Sequence, residues 1–91
     1  MLIVNADDWG RSAAETDAAL ACFSRGRITS VTAMVFMADS ERAADIALQH
    51  GIPVGLHLNF TELLTAPGTD HSFQSEHRTV VTSLKRSRYL P

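Results

Sequence analysis

The sequence predicts an α/β fold with parallel strands, and three observations predict it. Short apolar or β-branched runs alternate with stretches whose apolar residues recur at helical spacing, in the order β-α-β-α-β. The connections are short, so consecutive strands should lie side by side and parallel, joined by right-handed crossovers. Polar residues with chemical potential also fall where the first and third apolar runs end. In a parallel sheet those ends share one edge, the edge that carries active sites in open α/β sheets and in (β/α) barrels.

The elements follow in order. Leu2, Ile3 and Val4 open a buried strand over residues 2–6. Ser12-Ala13-Ala14-Glu15 has the spacing of a capping box and predicts a helix after Ser12. Its apolar face is Thr16, Ala19, Leu20 and Phe23, and Gly26 is its stop. Thr29, Val31, Thr32 and Val35 predict a strand over residues 29–36. Asp39 is placed to cap a second helix running to His50, with Ala43, Ala44, Ile46, Ala47 and Leu48 as its apolar positions and Gly51 as its end. Residues 53–58 read as a third strand. Pro67-Gly68 and neighbouring Ser, Thr and Asp residues make 62–75 a loop, and Ser75 is placed to cap a last helix over 76–87 with a thin stripe of Val80, Val81 and Leu84. Two regions result: residues 1–62, with the β-α-β-α-β pattern, and 63–91, a loop and helix without a motif. Three parallel strands with two crossovers leave a sheet edge and face to be covered, which predicts the N-terminal part of a larger, incomplete (β/α) barrel or α/β domain.

Composition limits the function. A chain of 91 residues makes one domain, and 45% apolar residues suffice for a core. A net charge of −2 gives no electrostatic case for nucleic acid or an anionic membrane surface. Arg78, Lys85, Arg86 and Arg88 oppose only Glu76 in the last segment, which reads as a solvated helix face. Cys22 is the single cysteine, so no intramolecular disulfide forms, and its place in a helical pattern predicts a small buried residue. There is no signal-peptide pattern and no apolar run of membrane-spanning length, so a soluble cytoplasmic protein is expected.

Asp7 and Asp8 are adjacent at the end of the first strand. On an ideal strand they would point to opposite faces. Where the chain turns they can share one site and divide its labour, one carboxylate holding a metal and the other accepting a proton from water. The plainer reading is a polar turn leading into the Ser12 helix. His57 ends the apolar run Val54-Gly55-Leu56-His57-Leu58-Asn59. Alone it would read as a hydrogen-bonded core histidine, but it falls on the same predicted edge as Asp7 and Asp8. Trp9 suits either a sugar ring or an anchoring role in the turn. Thr61 and Glu62 suit a pocket wall. His50, His71 and His77 lack ligand spacing and do not end an apolar strand, and Met34 and Met37 read as core filling. No second glycine stands near Gly10 at the spacing of a phosphate-cradling loop, which disfavours nucleotide-binding readings.

Asn5-Ala6-Asp7-Asp8-Trp9-Gly10, then Gly26-Arg27-Ile28-Thr29-Ser30-Val31-Thr32-Ala33-Met34-Val35, then Val54-Gly55-Leu56-His57-Leu58-Asn59-Phe60-Thr61 together resemble the YdjC-like carbohydrate deacetylases, including the hopanoid-biosynthesis branch. That family opens on a strand ending N-A-D-D-F/W-G, and its third strand ends G-L-H-L-N-L-T. The resemblance covers residues 1–62. It implies a (β/α) barrel related to polysaccharide deacetylases, and hydrolysis of an N-acetyl group on an amino sugar or oligosaccharide. It further implies a divalent metal, Mg²⁺ or Zn²⁺, held by Asp8 and His57, with Asp7 as general base. The family's third ligand is a histidine from a later histidine-rich segment, which this sequence lacks, and His71 and His77 do not take that role. The implied partner is an N-acetylated sugar, with no nucleic acid and no membrane span, and an unpaired third-strand edge makes a homo-oligomer one expected state. The alternatives are a non-catalytic sugar- or partner-binding remnant of the same frame, and a truncated product without function.

Overall fold

A computed structural model describes residues 2–87. The order is β1 (Asn5–Trp9), α1 (Ala13–Ser24), β2 (Ser30–Ala33), α2 (Ser40–His50), β3 (Val54–Leu56) and α3 (His71–Ser87). The three strands form one sheet in the order β1-β2-β3, with both neighbouring pairs parallel. Both crossover helices pack on the same face. Ala19 of α1 and Ala43 and Ala47 of α2 join Trp9, Val31 and Ile52 in a single core, with Ala6, Leu20, Phe23, Ile28, Ala33 and Ile46 against it. Sequential strand order with both crossover helices on one face is how a (β/α) barrel begins; a doubly wound sheet would reverse its order and cover both faces.

Helix α1 starts where its capping box places it. Ser12 Oγ accepts the Glu15 backbone N–H at 3.2 Å, and the Ser12 hydroxyl donates to Glu15 Oε1 at 3.3 Å. Its buried face is the predicted one, with Thr16 and Ala19 buried and Leu20 and Phe23 partly so. Helix α2 ends at Gly51, whose left-handed backbone at φ 62° lets its N–H reach the Ala47 carbonyl. Asp39 stands at the N-cap without using its side chain as a cap; the carboxylate pairs with Arg42 at 2.7 Å instead. Met34 and Met37 fill the core as expected.

Several expectations are corrected. β1 begins three residues later than expected, and Leu2 and Ile3, which precede it, are exposed because the core meets this segment only from Ala6 onward. Cys22 is exposed, since α1 turns its Thr16–Ala19 stripe to the sheet and Cys22 falls off that stripe. Helix α3 begins at His71, ahead of the expected position, because Asp70 Oδ1 accepts the Phe73 N–H at 3.1 Å and supplies a cap that Ser75 was expected to provide. Of its stripe, Val81 is buried while Val80 and Leu84 remain about half exposed. Arg88 of the basic segment lies outside the described residues.

Candidate functional site at the C-terminal edge of the sheet

Residue alternation gives the sheet one apolar and one polar face. Ala6, Val31 and Ala33 point to the helices, so Asn5 and Asp7 on β1, Ser30 and Thr32 on β2, and Gly55 on β3 fall on the other face. His57 continues the β3 series, its N–H bonded to the Ala33 carbonyl at 2.9 Å.

The β1–β2 register then slips. Ala6 pairs with Val31 but Trp9 pairs with Ala33, so β1 spends one residue more than β2 over that interval. This is a β-bulge, and Asp7 and Asp8 both stand opposite Thr32. Asp8 takes up the irregularity with φ 66°, a left-handed conformation unusual outside glycine. The bulge does two things. It returns Trp9 to the apolar face, where the indole is 1% exposed and donates Nε1–H to the Ala43 carbonyl at 3.1 Å. It also frees Asp8 from the alternation that would have aimed it into the helices. Trp9 is therefore the anchor of the turn and offers no face to a sugar. Gly10 follows at φ 89°, and a Cβ there would lie 3.2 Å from Ser40 Cα, so the site turn and the start of α2 approach as closely as a glycine allows.

The result is a convergence. Asp8 Oδ1 is 3.6 Å from His57 Nδ1, and the Asp8 backbone N–H approaches the same nitrogen at 3.4 Å. Both side chains are partly open to solvent, at 39% and 28% exposure. Two ligands each roughly 2.1 Å from a common cation and about 110° apart would stand about 3.4 Å from each other, close to this separation, and ligation through Nδ1 would take the lone pair that the Asp8 N–H now meets. Mixed carboxylate and imidazole donors suit Zn²⁺ or Mg²⁺ without choosing between them. Among the described residues no group of three His, Cys, Asp or Glu side chains surrounds such a point. Asp7 lies beside the pair but faces the polar side of the sheet, its Oδ1 accepting from Asn5 Nδ2 at 3.0 Å and from the Thr32 hydroxyl at 2.9 Å.

The loop after β3 is tied down next to them. Asn59 Oδ1 accepts the Glu62 N–H at 2.9 Å while its Nδ2 donates to the Glu62 carbonyl at 2.9 Å. His77 of α3 donates from Nε2 to the Asn59 carbonyl at 2.8 Å, so its described role is to hold this turn. Glu62 meets Arg11 at 2.6 Å, and Arg11 also meets Glu15 at 3.1 Å. The Glu62 charge first, then Glu15, holds the Arg11 guanidinium above its ordinary range. Thr61 and Glu62 line an open groove with Arg11 and Glu15. His50 and His71 are exposed. An apolar cavity of about 460 Å³ between α2 and the sheet is lined by Trp9, Met34, Ala43, Ala47, Ile52 and Val54 and takes in none of Asp7, Asp8 and His57.

Sequence reasoning missed Thr32, Asn5 and Arg11. A signal for the first two was present: Asn5-x-Asp7 and Ser30-x-Thr32 are polar pairs at strand spacing on neighbouring strands. The Arg11–Glu62 contact joins residues too distant in sequence for spacing to reveal.

The family described as "YdjC-like protein" matches residues 1–88. A human protein named carbohydrate deacetylase is 41% identical over 61 residues, which are 67% of this chain and 19% of that protein. A chitooligosaccharide deacetylase of Serratia marcescens is 39% identical over 62 residues, 67% of this chain and 24% of its own. One from Yersinia pestis (strain Pestoides F) is 39% identical over 69 residues, 72% of this chain and 27% of its own. The chain thus spans about a fifth to a quarter of the length of these relatives. No solved structure matches it.

Proposed function

The chain belongs to the YdjC-like protein family, and from that premise we propose that its C-terminal sheet edge is part of the site of a metal-dependent carbohydrate deacetylase. The substrate class is an N-acetylated amino sugar or oligosaccharide, in keeping with the names of the relatives. The observation that carries the proposal is the 3.6 Å approach of Asp8 and His57 beside Asp7. Asp8 and His57 would hold the divalent ion, and Asp7 would be the general base. Residues 1–62 supply these groups, and 63–91 contribute His77 as a brace.

Amide hydrolysis adds water to the acetyl carbon and breaks the C–N bond, releasing acetate and a free amine. A divalent ion bound there would supply an acidified water, its pKa lowered toward about 7, and a polarised acetyl carbonyl. The rest falls to the protein. Asp7, with one oxygen engaged by Asn5 and Thr32, accepts the proton that the water loses. That proton matches the one the departing amine must gain. The Asp8 backbone N–H donates to His57 Nδ1 at 3.4 Å and so fixes the orientation of the ring beside the Asp8 carboxylate.

Metal content after dialysis tests the reading. About one ion per chain, lost in an Asp8→Ala/His57→Ala double variant, supports it; a folded chain that retains no ion in any metal buffer overturns it for this chain. A second reading is favoured by the two-donor shell among the described residues: a sugar-binding module without turnover. Acetate release from chitobiose by the 91-residue chain would exclude that reading, and chitobiose binding without release would establish it.

A further inference from the structure

The polar face of the sheet carries a chain of hydrogen bonds that ends on Asp7. The Ser30 hydroxyl donates to Asn5 Oδ1 at 2.8 Å, and Asn5 Nδ2 donates to Asp7 Oδ1 at 3.0 Å. The Thr32 hydroxyl donates to the same Asp7 oxygen at 2.9 Å, and Asn5 Nδ2 also reaches Thr32 Oγ1 at 3.4 Å. The register dictates these neighbours. Asn5 pairs with Ser30, so two residues on Asp7 meets Thr32, and Thr32 pairs in turn with Gly55. Gly55 matters to the geometry. A Cβ there would come within 3.4 Å of Thr32 Cγ2, so the Thr32 methyl lies toward β3 and the hydroxyl toward β1. A β-branched side chain is stiff at χ1, which makes that choice persistent.

We propose that Thr32, with Asn5 held by Ser30, is a positioning residue that fixes the Asp7 carboxylate by one oxygen and leaves the other free to take a proton. The inference rests on the deacetylase reading for its purpose, but the arrangement itself does not depend on it. Two donors on Oδ1 stop the carboxylate from rotating about its terminal torsion, which is otherwise broad. Asp7 and Asp8 are adjacent residues on a bulge, where an unrestrained carboxylate could swing toward the cation position instead of the water. Holding one Asp7 oxygen on Asn5 and Thr32 therefore keeps the two aspartates in different roles. A threonine is also suited to the task because its hydroxyl donates to the carboxylate without bringing a charge of its own.

The test uses the 91-residue chain with Thr32→Val, which keeps the shape and removes the donor, and Thr32→Ser, which keeps the donor. With chitobiose as probe, Thr32→Val should lower kcat by roughly tenfold or more with KM and metal content unchanged, and Thr32→Ser should recover most of it. Wild-type kcat in Thr32→Val would overturn the proposal. NMR of the Asn5 side-chain amide provides a readout free of turnover. Its resonances should move in Asp7→Ala and in Thr32→Val but not in Thr32→Ser; an amide indifferent to Asp7→Ala and Thr32→Val would overturn the proposal. If the wild-type chain releases no acetate while the amide responds as stated, the positioning of Asp7 stands and the deacetylase reading of this chain fails.

Discussion

Asp8 Oδ1 and His57 Nδ1 stand 3.6 Å apart although 49 residues separate them in the chain. The contact has two separate causes. β3 delivers His57 by simple register, continuing a ladder whose last bond is to Ala33. β1 delivers Asp8 by an irregularity, the extra residue that shifts the pairing between Ala6 and Trp9. Neither works without the other: an unbulged β1 would send Asp8 to the helix side and Trp9 to the polar face.

That irregularity predicts an unusual order of stabilities at position 8. A left-handed conformation costs an L-residue with a Cβ about 1–2 kcal/mol, and glycine adopts it freely. Asp8→Gly and Asp8→Ala lose the same carboxylate, so their difference isolates the backbone at φ 66°. Asp8→Gly should be more stable than Asp8→Ala by about 1 kcal/mol in urea unfolding. The usual preference for alanine in a strand would give the opposite order, and observing it would show that Asp8 does not hold this conformation in solution.

The donor pair predicts the metal phenotype. Outer partners of metal ligands cost about 10–100-fold in affinity when removed, so loss of a ligand itself should exceed about 100-fold. Asp8→Asn and His57→Ala should each reach that loss in a competitive chelator titration, while Asp7→Asn should not, because Asp7 is committed to Asn5 and Thr32. Equal losses in all three variants would place Asp7 among the ligands.

Trp9 predicts a stability effect rather than a binding one. The indole is buried in the core cluster and bonded to the Ala43 carbonyl. Trp9→Ala should cost about 3–5 kcal/mol, a large share of what a domain of this size has. Trp9→Phe, which loses the N–H but keeps most of the ring, should cost about 1 kcal/mol from the missing bond plus some packing. An unfolding midpoint unchanged by Trp9→Ala would mean that the ring is free to face a ligand.

Much of this was legible in the sequence because it is local or periodic. The Ser12–Glu15 capping box, the Thr16–Ala19 stripe and the Gly51 stop each sit within one helix, where spacing alone fixes the neighbours. The sheet edge bearing Asp7, Asp8 and His57 was legible too, since parallel strands share their ends. What escaped was whatever depends on pairing across elements. The exposure of Leu2 and Ile3 follows from where the core meets β1, from Ala6 onward, which no run of apolar residues reports. The burial of Trp9 follows from a bulge whose only local trace is an extra polar residue before it. Thr32 acquires its partner through the β1–β2 register, and Arg11 meets Glu62 through the loop that Asn59 shapes.

The start of α3 decides between two caps. The sequence offers Ser75, and the structure uses Asp70, whose Oδ1 accepts the Phe73 N–H while its carbonyl accepts the Gln74 N–H. The added turn is what brings Phe73 against Phe36, with ring centroids 5.0 Å apart. Removing a working N-cap costs about 1 kcal/mol. Asp70→Ala should therefore lower stability by about that amount and weaken the Phe73 contact, while Ser75→Ala, an exposed site inside the helix, should be neutral or slightly stabilising because alanine is the better helix former. The two variants compared by urea unfolding give opposite rankings for the two caps. A destabilised Ser75→Ala beside an unaffected Asp70→Ala would move the helix start back to Ser75 and release residues 71–74 into the loop.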